Sequence, residues 1–228
     1  MKHTFLTSTF VLVTSALSSH AALTISFPGN TSTDGWDQLV GSRLTGYGSY
    51  PGTSPWPAPV SPNVAGSAGD ATFNKTSGGG YFATNSFYDG GNSGSLVVES
   101  SNPVANLATI VFQIDMGASS FASTPQLLVN GTDLYPADLS ATYAGDYTYS
   151  FGGPATATNN FVFQWDLSGV TDPITSYQVQ WETAPHSLIY ELQVDSSDNF
   201  VAVIPEPSTA LLTLFAGSAL LRRRRTAR

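Results

Sequence analysis

The chain has no cysteine among its 228 residues, which excludes disulfides, thiolate nucleophiles and cysteine-ligated metals. Any fold it adopts is held by its core alone. Histidine is nearly as scarce, with three in all, and two of these, His3 and His20, fall in an N-terminal leader. The body keeps His186 only, so a multi-histidine zinc site is excluded and at most one histidine-based dyad or triad can exist. Basic residues are the third shortage: six of the eight (Lys2, Arg222, Arg223, Arg224, Arg225 and Arg228) lie at the two ends. Between the ends, only Arg43 and Lys75 stand against fifteen acids, leaving the body thirteen charges negative with His neutral. This balance argues against nucleic acid or an anionic lipid surface as partner, because phosphate contacts require Lys and Arg. It permits divalent cations and neutral glycans, and self-repulsion favours solubility.

The two ends carry targeting chemistry. Met1-Lys2-His3 is a short basic region, Phe5 to Leu17 an apolar one, and Ser19-His20-Ala21 places small residues at the cleavage-determining positions. This order predicts a signal peptide passed through the Sec translocon and cut between Ala21 and Ala22. A buried N-terminal strand or helix is the alternative, but such an element seldom opens on Met1 with this charge order. At the other end stand Pro205, Glu206, Pro207 and Ser208, an apolar run from Thr209 to Leu221, then Arg222, Arg223, Arg224 and Arg225. The prolines break helix, the apolar run is a short helix candidate, and the arginines form a cationic stop that anionic cytoplasmic lipid retains.

That ordered trio resembles the PEP-CTERM sorting signal of bacterial surface proteins. The resemblance implies that a membrane peptidase, exosortase, recognises the tail and removes it near Pro205 to Ser208. The product would be left at the cell surface or in an exopolysaccharide or biofilm matrix. The alternative is an ordinary tail anchor. The apolar run is shorter than the roughly 20 residues a spanning helix needs, which suits a segment held at the inner membrane only until processing. The expected organisation is a signal peptide over 1–21, an ectodomain over 22–198, a linker over 199–204 and the sorting signal over 205–228.

The body has the length of one domain with a sizeable core. No long stretch of it shows helical periodicity, whereas runs with strand chemistry recur between clusters of Gly, Pro, Asn, Asp and Ser. Leu23 to Phe27 alternates and is expected to open the fold as a strand. Long loops follow to about Asn92, broken by short strands near Ala71 to Lys75 and Tyr81 to Ser86. In the second half, Ile110, Phe112 and Ile114 alternate along one strand, as do Phe161, Phe163 and Trp165, then Tyr177, Val179 and Trp181, then Leu188, Tyr190, Leu192 and Val194. Asn130-Gly131 is a type I′ hairpin signal, since both residues tolerate positive φ. Eight to eleven antiparallel strands with one wet face predict an all-β, two-sheet β-sandwich. A jelly-roll type is favoured over an immunoglobulin fold, which would show a Cys-Trp-Cys pattern. The closing passage, Trp165 to Val170, Ile174 to Trp181 and Leu188 to Val194, is similar to the last strands of jelly-roll ectodomains that precede PEP-CTERM tails.

Three constellations bear on chemistry. Asp34, Asp37, Asp195 and Asp198 flank the first and last body strands, where a structural calcium could gather oxygen ligands; Asp is also common in turns for its local backbone bonding. No other cofactor is expected. Trp36, Trp56 and Tyr88 lead a set of loop aromatics that could stack on the C–H faces of a neutral glycan, as in a carbohydrate-binding module; the competing reading has these rings close the ends of the sandwich. Trp165 and Trp181 are expected in the core. Finally, fifteen acids make some carboxylate pair at glycosidase spacing unavoidable, so the pairing carries no signal. His186 reads as a turn residue between strands, and the serine beside it is not a triad. The expectation is a non-enzymatic protein, with a polysaccharide-degrading enzyme the less favoured reading.

Overall fold

A computed structural model of the protein describes residues 24–204 except 45 and 47. The expected leader with its Ala21–Ala22 junction, the Pro205–Ser208 motif, the apolar helix and the Arg222–Arg225 stop lie outside the described residues. Among the described residues no helix is long and apolar enough to cross a membrane.

Two antiparallel sheets pack as a sandwich. The strands are β1 (Thr31–Trp36), β2 (Thr72–Gly78), β3 (Tyr81–Phe82), β4 (Phe87–Tyr88), β5 (Gly94–Ser100), β6 (Thr109–Ala118), β7 (Phe121–Val129), β8 (Asp133–Pro136), β9 (Leu139–Tyr149), β10 (Thr156–Asp166), β11 (Tyr177–Thr183) and β12 (Ser187–Ser197). One sheet runs β3-β4-β12-β6-β10-β9, with β1 also paired to β12; the other runs β2-β5-β11-β7-β8. Strand β12 thus shares one edge between two short partners, β4 against Leu188–Ile189 and β1 against Leu192–Ser197.

The alternating apolar sets form the interior where the sequence places them: Ile110, Phe112, Ile114, Trp165, Val179 and Trp181 are all buried in one cluster. Phe73 lies at its centre, stacked on Trp181 with centroids 6.1 Å apart and edge-on to Trp36 and Trp56. Trp181 in turn meets Phe112 of the facing sheet at 5.0 Å. The hairpin signal is also met, since Asn130 and Gly131 have φ of 50° and 73° and Thr132 donates to the Val129 carbonyl.

Two local expectations differ. Residues 24–27 are not a strand. Ile25 and Phe27 instead lie on the outside of the larger sheet, against Val111, Val162 and Ile204. The opening strand is β1, whose TSTDGW has too few apolar residues to announce itself. The segment expected as a linker, 199–204, is strapped to that same outer face. There the Gln164 amide donates to the Val201 carbonyl at 2.8 Å and accepts from the Val203 N–H at 3.0 Å. Ile204 beside Pro205 is buried.

Loss of the central ring should be the most costly single change. Phe73→Ala is expected to lower unfolding free energy by about 3–5 kcal/mol in urea titration. Tyr50→Ala, at a site 77% exposed, should stay within about 0.5 kcal/mol.

Candidate functional site

Two β-bulges build an aromatic hollow on the outer face of the larger sheet. The first lies in β12, where the register against β6 shifts between Ile189 and Glu191 and leaves Tyr190 as the extra residue. The bulge splits the expected face: Leu192 and Val194 are in the core, where Ile189 joins them, while Leu188 and Tyr190 line the hollow. The second lies in the β9–β10 pair, where Gly145, Asp146 and Tyr147 loop out between Ala144, opposite Asn159, and Thr148, opposite Ala157. The Asp146 N–H donates to the Asp115 carboxylate at 3.2 Å, and the Tyr147 N–H to Thr158 Oγ1 at 3.2 Å. A Cβ at Gly145 would fall 2.4 Å from Asp115 Oδ2, so only glycine fits this turn beside the carboxylate. Bulges raise local twist and re-aim side chains, and this one carries the end of β9 over β12. Tyr147 stacks on Tyr190 with centroids 5.0 Å apart and donates its hydroxyl to Glu191 at 3.0 Å.

The resulting depression encloses about 370 Å³, with Tyr88, Leu188 and Tyr190 below, Tyr149 and Phe151 on one side, and the 83–86 turn on the other. Phe151 is 61% exposed, which leaves a ring face open to solvent. The Tyr88 hydroxyl lies 2.8 Å from His186 Nδ1, fixing the ring. His186, at φ 67°, is the turn residue expected between β11 and β12. Its neighbour Ser187 is buried, and its single hydroxyl proton lies within reach of both the Ser120 and the Ala184 carbonyl, which leaves the hydroxyl committed to backbone.

Of the three expected stacking residues, the structure brings only Tyr88 to a surface site. Trp36 and Trp56 are corrected to core residues. Trp36 is fully buried and donates its indole N–H to the Val60 carbonyl at 2.9 Å. Trp56 is enclosed by Phe73, Phe82 and Phe87, with the Lys75 ammonium 5.8 Å from its ring centre. The loops that carry these indoles fold back across the end of the sandwich, and neither ring has a face for a sugar. Tyr149, Phe151 and Tyr190 were missed because a bulge is not written in alternation; the Tyr147-Thr148-Tyr149 repeat was the available signal.

Both body cations are committed. Lys75 is buried and donates to the Gly80 carbonyl at 2.6 Å, with burial holding its pKa below the usual lysine value against the pull of Asp89. Arg43 binds the Gln38 and Ser61 carbonyls and Asn63, pinning the loop after β1.

The four aspartates proposed for calcium are spread over separate tasks. Asp34 accepts the Gly69 and Ala71 N–H groups at 3.0 Å each, and Asp37 accepts the Asn63 amide. Asp195 accepts the Thr33 hydroxyl at 2.6 Å and the Gln193 amide at 2.8 Å, while Asp198 accepts Asn30. Among the described residues no three His, Asp or Glu converge as metal ligands. This donor set does not fit an ion that needs six to eight oxygens.

Several acids are buried at a cost. Burial pushes Asp115 up to about 6 against the hydrogen bonds of Thr158 and Asp146, and it raises Asp34, Asp195 and Glu191 in the same direction. Asp115 Oδ1 is buried without a partner, and so is Oδ1 of Asn160, which stands directly across from it on β10. Both atoms are acceptors, and no donor reaches either. Asp70 shifts the other way: burial raises it, but bonds from Ser100 and Ser101 outweigh burial and hold it low.

In comparisons with protein-family models, curated proteins and solved structures, nothing matches this chain.

An acid with a raised folded pKa binds its proton more tightly when folded, so stability falls as pH rises from the unfolded value of 3.8 through the folded one. For Asp115 this amounts to about 3 kcal/mol between pH 4 and 7. The melting temperature should therefore be higher at pH 5 than at pH 7, and Asp115→Asn should raise it at pH 7 while leaving it little changed at pH 4. Equal pH dependence in wild type and variant would contradict this. Chelation with EDTA is expected to leave melting unchanged; a drop would reveal a cation site that these carboxylates form.

Proposed function

We propose that the chain is a non-enzymatic exported protein of the cell surface or extracellular matrix. It would leave through the Sec translocon, rest at the inner membrane by its tail, and be processed by exosortase near Pro205 to Ser208 for association with exopolysaccharide. The observation that carries this reading is the ordered Pro-Glu-Pro, apolar run and arginine cluster at the C-terminus. The fold supports it, because packing extends to Ile204, the residue before Pro205. A cut at the motif would release the body whole, with its strap in place. The chain passes between the two sheets eight times along its course, and this alternation supports the jelly-roll type within the sandwich class.

A second reading, a carbohydrate-binding module for a neutral glycan, is favoured by the hollow around Tyr88, Phe151 and Tyr190, where open ring faces lie beside Asn85 and Ser86. Stacking there needs no cation, and this body has none to offer.

Replacing Pro205, Glu206 and Pro207 by Ala in the native host should leave an uncut, membrane-held form and deplete the extracellular one, read by fractionation and immunoblot. Normal release of that variant would refute the sorting reading.

A further inference from the structure

The outer face of the five-stranded sheet carries a furrow that none of the preceding roles uses. Two adjoining depressions of about 380 and 230 Å³ share Glu99 and Gln178. The strand register lays out its floor. Asn74, Val97, Gln180 and Gln126 form one rung across β2, β5, β11 and β7; Thr72, Glu99, Gln178 and Leu128 form the next. A third rung sets Ser95 and Ser123 beside Glu182. These side chains face outward because their neighbours Phe73, Leu96, Val98, Leu127, Val179 and Trp181 fill the core.

The chemistry of this face is selective. A solvated strand face in an acidic protein is ordinarily lined by charge, yet the middle of this one is lined by amides. An amide head donates and accepts at once, as a hydroxyl does, so a row of them matches a polyhydroxylated chain better than it matches an ion. Gln178 is held in place by donating to Glu99 Oε2 at 3.0 Å. Val97, 4% exposed on the furrow floor, offers an apolar spot for C–H groups. Asn74 lines the larger depression, with its Oδ1 closed off from solvent. Glu99 and Glu182 accept only, and no cation lines either depression. Anions are therefore repelled, and apolar ligands would strand the amides.

We propose that this furrow is a binding site for a neutral polysaccharide, whose hydroxyls donate to Glu99 and Glu182 and exchange hydrogen bonds with Gln126, Gln178 and Gln180. The matrix reading above supplies the biological source of such a glycan; binding itself is independent of sorting, so the processing experiment and this one fail separately. It is also a different surface from the aromatic hollow, on the opposite sheet.

The test is affinity electrophoresis of the full chain through gels containing dextran, amylopectin, galactomannan or mixed-linkage β-glucan, with alginate and chitosan as the anionic and cationic comparisons. At least one neutral polymer should retard the protein and alginate should not. Gln180→Glu keeps the shape but removes the donor, and Gln126→Ala removes the head; each should weaken retardation about tenfold with unchanged melting temperature. Retardation by none of the neutral polymers, or by chitosan alone, would overturn the proposal. So would retardation that survives both glutamine variants; its loss in Phe151→Ala would then assign the binding to the hollow.

Discussion

A cysteine-free sandwich stands or falls on the contact between its sheets, and here that contact is the aromatic column Phe73, Trp181 and Phe112. Phe73 and Trp181 belong to one sheet and Phe112 to the other, so the column is where the two layers interlock. Trp36 from β1 and Trp56 from the loop-rich region close on Phe73 edge-on. The irregular first third of the chain is thereby fastened to the core. Edge-on and stacked aromatic pairs add about 0.5–1.5 kcal/mol each beyond the area they bury, and several of them share one ring. The loops are held further by Arg43, by the Trp36 indole and the Lys75 ammonium donating to the Val60 and Gly80 carbonyls, by backbone pairing of Val60 with Phe73, and by backbone N–H groups donating to Asp34 and Asp70.

With the interior closed, the outer faces are left to differ. The larger sheet is covered in part by the segments that flank the sandwich, with Ile25, Phe27, Val203 and Ile204 packed on Val111 and Val162. Two bulges also shape the hollow lined by Tyr149 and Tyr190, with Tyr147 stacked on Tyr190. Asp115 is the residue on which the second bulge leans, and it is buried with an unpartnered oxygen for that reason. The carboxylate supports the bulge through the Asp146 N–H, and its burial favours the protonated form. Among the described residues no such cover lies on the smaller sheet, whose outward rungs of amides line the furrow.

Much of the fold was legible because alternation reports burial directly. Ile110, Phe112 and Ile114, the Trp165 and Trp181 sets, and the Asn130-Gly131 turn all stand where their pattern puts them. Strand β1 was illegible because its burial comes from the loop folded over it, not from its own apolar residues. The same loop explains Trp36 and Trp56: glycine- and proline-rich surroundings suggested exposed rings, but a long loop can return to the core. The Leu188, Tyr190, Leu192, Val194 set misled at one point only, where a single extra residue reversed the facing of Leu188 and Tyr190. Gln126, Gln178 and Gln180 were visible as the polar partners of core residues, and read simply as the wet face. Their sign was the run of amides at alternate positions, with only the acceptor carboxylates Glu99 and Glu182 beside them.

The body is an acidic β-sandwich, and under the proposed function the sequence on either side of it directs export and sorting. The most direct test is the intact mass, with terminal peptide mapping, of the protein recovered from membrane and extracellular fractions of its native host. A product beginning at Ala22 and ending between Pro205 and Ser208 is the predicted result. A chain that keeps Arg222 to Arg228 in the membrane fraction, with no shortened form outside, would contradict the account and leave a tail-anchored protein in its place.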